Sequence, residues 1–205
     1  MIPLNSVIAK PLVPWFIRLR FSPNAITGLS VVFGLLSGCF LALGISPMAV
    51  VGAICFLFSN VLDECDGKVA RQTNRCSARG ALLDTLADCA VHAAFFLGLG
   101  IGIHRQFPQS PALLLGAVAA GGSILSCALD VGGITPWQPP KPSDQSPEGM
   151  LAGLIEWLRI DFSMIVVISA VIRQMTWILW SGALGVFLFW IPSTVVIAFR
   201  GNAKS

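Results

Sequence analysis

Asp63-Glu64-Cys65-Asp66-Gly67-Lys68-Val69-Ala70-Arg71 breaks into what is otherwise a succession of long apolar runs, and Gly80, Asp84 and Asp88 follow it into the next run. Before this stretch, the chain from Pro47 to Leu62 is apolar. After it, Gly80 to Ile103 is apolar except for Asp84 and Asp88 in the first turns. Working outward, further apolar runs cover Ala25 to Ile45, Pro111 to Leu129, a short run from near Asp161 to Arg173 with an amphipathic lead-in from Met150 to Arg159, and Met175 to Phe199. A helix of about 20 residues crosses the ~30 Å hydrocarbon core of a bilayer. The pattern predicts an all-α integral membrane bundle of six transmembrane helices. Composition agrees: 55% of the 205 residues are apolar and 11% charged, against about 25% charged in soluble domains. A mean hydropathy of +0.80 excludes disordered, collagen-like and nucleic-acid-wrapping chains.

Residues 1–22 read differently. Ile2 to Arg20 mixes apolar residues with Lys10, Arg18, Arg20 and Trp15 and contains Pro3, Pro11 and Pro14. It is expected as an amphipathic helix lying in the membrane interface, with a turn at Phe21-Ser22-Pro23-Asn24, and it does not resemble a cleavable signal. Residues 23–205 then form the transmembrane domain. Val131 to Gly149, rich in Pro and Gly, is expected as one long loop. With the N-terminus inside, eleven of the thirteen Lys and Arg face the cytoplasm and only Arg105 and Arg173 lie outside. That positive-inside bias puts both termini and the acidic stretch on the cytoplasmic side. The six cysteines stand singly with no CxxC pair, which suits small packing residues in helices.

Charge inside a membrane helix costs several kcal/mol and is rarely decorative. Asp63 and Asp66 are three apart, Asp84 and Asp88 four apart, so each pair lies on one helix face. The stretch from Gly67 to Arg79 is expected to fold the two faces together. Four carboxylates at short range repel unless a cation compensates. Hard oxygen ligands select magnesium, calcium or manganese over zinc. A pair of ions clamping a phosphoryl group is one use of such a set, and a cation pathway is another. Gly67, Ala70 and Gly80 leave room for a ligand near the backbone, and Arg71 offers a planar fork suited to phosphate.

These residues resemble a known family. Asp63 to Arg71, eight residues, then Gly80, Asp84 and Asp88 reproduce the signature DxxDGxxAR-x8-GxxxDxxxD of the CDP-alcohol phosphotransferases. The entry Ser22-Pro23-Asn24-Ala25-Ile26-Thr27 and the expected six spans are similar to that family too.

The resemblance implies transfer of a phosphoalcohol from a CDP-alcohol to the hydroxyl of a second alcohol, with release of CMP. It implies that Asp63, Asp66, Asp84 and Asp88 hold Mg²⁺ or Mn²⁺, two ions together. Asp88 would also act as the general base on the acceptor hydroxyl. Gly67, Ala70, Arg71 and Gly80 would shape the CDP pocket, with Thr73 and Ser77 as further polar contacts, and the family implies a homodimer. Two positions depart from many lipid-making members: Cys89 stands where a basic residue often follows the last aspartate, and Ala78-Arg79 precede Gly80 where an aromatic is common. Both bear on the acceptor. Arg159 and Asp161 are candidate acceptor contacts, since Arg159-Ile160-Asp161-Phe162 resembles the branch with a soluble CDP-inositol donor.

The expected function is phospholipid synthesis, with CDP-diacylglycerol donating phosphatidyl to a small alcohol or alcohol phosphate. The alternatives are the same chemistry with a soluble CDP-polyol, a cation transporter using the four aspartates, and a catalytically silent scaffold, which the intact signature disfavours. No nucleic-acid partner is expected. Among lesser signals, His92 is read as lining the cavity or packing between helices and His104 as solvated in an outer loop. Asn60 is read as bonding a metal ligand or a neighbouring helix, and Asp130 and Lys141 as able to meet a charged acceptor. Gly34 with Gly38, and Gly182 with Gly185, permit close helix approach.

Overall fold

The computed structural model describes residues 4–131 and 162–185. All regular structure among them is helical: α1 (Leu4–Arg18), α2 (Pro23–Ala42), α3 (Ser46–Gln72), α4 (Ala78–Gln106), α5 (Ala112–Val131), α6 (Phe162–Val171) and a further helix, α7, over 175–185. Among the described residues, four stretches are long and apolar enough to cross a membrane: α2, α3, α4 and Ala112–Leu129 of α5. Helices α6 and α7 fall where the fifth and sixth spans were expected, and α6 at ten residues is shorter than a span. Residues 186–199 of the sixth, the lead-in and the Pro-rich loop beyond Val131 lie outside the described residues, as do Lys141, Arg159, Asp161 and the side chain of Asp130.

Helix α2 is the spine. Its buried positions Thr27, Ser30, Gly34, Ser37, Gly38 and Leu41 recur at helical spacing, and both α3 and α4 pack along it. In lipid there is no hydrophobic drive between helices, so close fit and interhelical hydrogen bonds must hold them. The fit to α4 depends on missing side chains. A Cβ at Gly38 would lie 2.5 Å from Ala94 O, and one at Gly98 would collide with Gly38 O. The fit to α3 includes a reciprocal serine pair, Ser59 Oγ donating to Ser30 O at 2.9 Å and Ser30 Oγ to Ser59 O at 3.1 Å. Helix α5 packs on α4 in turn, with Gly100 against Gly116. There Cys89 Sγ and Cys127 Sγ reach across to the carbonyls of Ser123 and Thr85.

Helices α3 and α4, which carry the signature, touch one another only sparsely. Both lean on α2. Where they do meet the contact is aromatic: Phe56 of α3 stacks on Phe95 of α4 with centroids 4.2 Å apart, and Phe162 of α6 meets both edge-on.

Two boundaries differ from expectation. The apolar run ends at Leu62, but α3 continues for ten residues to Gln72, because backbone hydrogen bonding does not require apolar side chains. The connection is therefore only Thr73 to Ser77, not the whole of Gly67 to Arg79. At the other end, His104, Arg105 and Gln106 close α4 instead of forming a loop, and His104 Nδ1 is buried, so this histidine is not simply solvated.

Helix α1 lies on α3 more firmly than a purely interfacial helix would. Asn5, Ala9, Val13 and Phe16 form one buried stripe, and the apolar three share a core with Ile26, Val61, Leu62, Cys65 and Val69. Pro11 and Pro14 sit within the helix, which removes two ladder bonds. Tertiary contacts offset that loss. Asn5 and Ser163 of α6 exchange side-chain hydrogen bonds at 3.1 and 3.2 Å, and Lys68 Nζ donates to Ser6 Oγ at 2.6 Å. Trp15, 55% exposed, keeps the outer face suited to an interface.

Candidate functional site

Asp63 lies about 26 Å along α3 from Ser46, near the far side of a ~30 Å core. Beyond it, α3 carries Asp66, Gly67, Ala70 and Arg71 in regular helix. The helix then stops sharply. Asn74 takes φ 53°, Arg75 N donates to Ala70 O at 2.9 Å and Asn74 N to Arg71 O at 3.4 Å. This is the paired bonding of a left-handed helix stop, with asparagine tolerating the conformation. Ser77 starts α4 by accepting Gly80 N–H on its Oγ at 3.0 Å, an N-cap. The turn between these two caps brings Asp84 back toward Asp63.

Three carboxylates converge. Asp63, Asp66 and Asp84 each place an oxygen within 4.8 Å of the others'. Two oxygens bound to one hard cation lie at most about 5 Å apart, so the set fits one. Two further observations favour that fit. Asp84 Oδ1 is buried with no hydrogen-bond partner among the described residues, which leaves a lone pair for a cation. Asp66, only 4% exposed, accepts a hydrogen bond on Oδ2 from Thr27 Oγ1 of α2, an outer contact that orients a ligand carboxylate. The donors are all hard oxygen, which suits magnesium, manganese or calcium.

Asp88 stands apart from this trio. It is close enough to Asp63 and Asp84 for their charges to interact, but its Oδ1 pairs with His92 Nδ1 at 3.0 Å and its side chain is 56% exposed.

The positively charged and small residues are arranged around the trio. Arg71 acts electrostatically on Asp66 and Asp84, and its guanidinium lies over Gly67, where an added Cβ would sit 3.4 Å from Nη1. Gly80 faces Asn24 at the start of α2, whose Oδ1 is 3.6 Å from an added Cβ. Thr73 and Ser77 are occupied locally: Thr73 Oγ1 donates back to Val69 O at 2.7 Å, and Ser77 caps α4. Asn60 Nδ2 donates to Phe56 O within its own helix at 2.8 Å, neither of the partners expected for it. Lys68 is drawn toward Glu64 at 3.0 Å and Ser6, away from the trio.

Residues 20–130 match the CDP-alcohol phosphatidyltransferase family, a range that takes in the whole signature, both helices that carry it and the helix they lean on. The chain belongs to that family. The chain is also similar to a protein of Aquifex aeolicus (strain VF5) named bifunctional IPC transferase and DIPP synthase, 31% identical over 118 residues. The match covers 56% of the chain and 26% of the relative, so the chain spans about a quarter of that relative's length. Within the family site, Thr27 was read from the sequence only as part of the entry to the first span; its hydrogen bond to Asp66 was not foreseen.

Proposed function

We propose that this protein transfers a phosphoalcohol from a CDP-alcohol to the hydroxyl of a small acceptor and releases CMP. The observation that carries the reading is the convergence of Asp63, Asp66 and Asp84 from two helices, with Asp88 one turn further on and more than half exposed, in a chain of this family. Asp63, Asp66 and Asp84 would hold a divalent cation, Mg²⁺ or Mn²⁺ and in the family pattern two ions, which when bound would spread the charge of the pyrophosphate and improve CMP as a leaving group. The chain's own residues do the rest. Gly67, Ala70 and Gly80 leave room for the nucleotide, and Arg71 aligns a phosphate through its fork. Asp88 accepts the proton of the acceptor hydroxyl, the new O–P bond forms, and the bond from that phosphorus to the CMP oxygen breaks.

CDP-diacylglycerol is the donor we favour. Leu82, Leu83 and Leu86 are 44–51% exposed on α4 beside Asp84, an apolar rim along which acyl chains can lie while the head group reaches the carboxylates. The second reading, a soluble CDP-polyol, is favoured by a relative whose name is that of a DIPP synthase rather than a lipid synthase. In both readings the protein has six spans, with residues 1–22 as an interfacial entry and 23–205 as the transmembrane domain. It works as a homodimer, with termini and site on the cytoplasmic side.

The test is CMP release by purified protein in nanodiscs, with and without magnesium. CDP-diacylglycerol and CDP-inositol are each offered to glycerol phosphate, inositol phosphate, inositol and serine. Release with the lipid donor, abolished by chelator, is the expected outcome. Release with CDP-inositol alone moves the protein to the soluble-donor branch. Absence of both CMP release and CDP binding, with cation flux in sealed vesicles, would replace the enzyme with a transporter.

A further inference from the structure

We infer that the bundle carries a second ligand site at the end away from the carboxylates, where Arg173 holds the phosphate of a phospholipid from the opposite leaflet. The inference does not depend on the proposed transfer reaction. The site is a cavity of about 80 Å³ where three connections meet: the α2–α3 turn at Gly44 and Ser46, the end of α4 at Gln106, and the α6–α7 turn at Arg173 and Thr176. One water needs only ~15 Å³, so there is room for a small polyatomic ion.

Charge decides the kind of ion. Asp63, Glu64, Asp66, Asp84 and Asp88 all stand at the other end of α3 and α4, and the ion pairs among the described residues are Glu64 with Lys68 and Asp88 with His92. Arg173 therefore lines the cavity with no carboxylate against it among those residues. Arg105 stands beside it, its Cβ 3.3 Å from where a Cβ on Gly44 would lie. Two arginines at one opening, without a carboxylate to offset them, favour an anion. Nor does α6 need the guanidinium to close its last turn. Arg173 N donates to Ala170 O at 3.2 Å and Gln174 N to Ser169 O at 2.8 Å, which satisfies those carbonyls through the backbone. This stop puts Arg173 at φ 58°, a conformation that glycine adopts without cost. What arginine adds there is a planar fork that matches phosphate.

The surroundings favour a lipid phosphate over a free one. Thr176 also borders an open groove with Gln174, Trp177 and Trp180, and Trp177 is 71% exposed. Tryptophan gathers at the level of lipid head groups. The two indoles, three residues apart on α7, give an apolar bed for the glycerol and upper acyl chain of a molecule whose phosphate sits in the cavity.

The experiment uses the full-length protein in detergent, stripped of lipid and titrated with dioleoyl phosphatidylglycerol, dioleoylglycerol or inorganic phosphate. Native mass spectrometry counts bound lipid, and the unfolding midpoint follows occupancy. Arg173→Gly removes the guanidinium and suits the left-handed turn, so the lipid-free variant should melt no lower than the wild type. Phospholipid held at the carboxylate end is untouched by this change, so the difference between the two proteins reports the far cavity. Phosphatidylglycerol should bind saturably to the wild type and roughly 10–100-fold more weakly to Arg173→Gly, while dioleoylglycerol does not distinguish them. Equal phosphatidylglycerol affinity in the two proteins would overturn the inference, as would the same loss with dioleoylglycerol, which has no phosphate. Inorganic phosphate matching the lipid's effect would replace the lipid with a free anion. A lower midpoint for lipid-free Arg173→Gly would assign the arginine to the fold instead.

Discussion

The carboxylate end of α3 and α4 and the middle of the α2–α4 crossing are both sites of close approach, achieved by opposite means. In the middle, Gly38 and Gly98 remove side chains so that backbone meets backbone. No charge is involved, and size alone decides. At the carboxylate end the approaching groups repel. There α3 and α4 scarcely touch each other, and α2 holds each of them in place. The site can therefore bring like charges together because its geometry is secured elsewhere. It follows that chemistry and stability should respond separately to substitution in the two regions.

The largest separation is expected at Asp88. Asp88→Asn should lower kcat by about 10²–10⁴-fold while CDP binding and thermal stability in detergent stay as in the wild type. A matching loss of stability would show that the polar end also supports the fold.

Thr27 lies where the two regions meet, on the spine helix but bonded to Asp66. Thr27→Val keeps the shape and removes the hydroxyl. It should weaken cation dependence by roughly 10–100-fold, read from a magnesium titration of CMP release at saturating donor. If the melting temperature fell and the titration did not move, Asp66 would belong with the structural residues.

Gly98→Leu tests the other side of the comparison. Overpacking against Gly38 should cost about 1–3 kcal/mol, seen as a lower unfolding midpoint and less monodisperse protein. Turnover per folded molecule should be unchanged. Selective loss of turnover would mean that the crossing angle of α2 on α4 sets the carboxylate geometry directly.

The smallest effect belongs to the serine pair. Ser59→Ala should cost about 0.6 kcal/mol and leave activity alone, because Ser30 and Ser59 bond one helix to another one turn below the carboxylates. A measurable shift in cation affinity would extend the site a full turn deeper.

How far the sequence could be read depended on whether a signal was local. Hydropathy located α2, α4 and most of α5, because lipid exposure selects apolar side chains along the whole length of a span. It placed the end of α3 ten residues early, because hydropathy reports the medium and not the helix. The four aspartates were legible by spacing, three and four apart on single faces. The bond of Thr27 to Asp66 was not, since the two lie 39 positions apart. His92 was visible one turn from Asp88, but a four-residue spacing does not say toward what the ring is turned. The glycines of α2 announced close approach without naming Gly98 as the surface approached. The stripe of α1 predicted an amphipathic helix, while its seat on α3, and the reach of Asn5 to Ser163, came from residues up to 158 positions apart.

The sequence by itself determined a helical membrane protein whose carboxylates sit at the polar ends of two successive spans, since spacing and solvent preference are properties of neighbouring residues. The tertiary structure alone decided which three carboxylates share a cation-sized space. That outcome depends on how α2 sets the separation and rotation of α3 and α4, and no local pattern encodes the relative placement of helices.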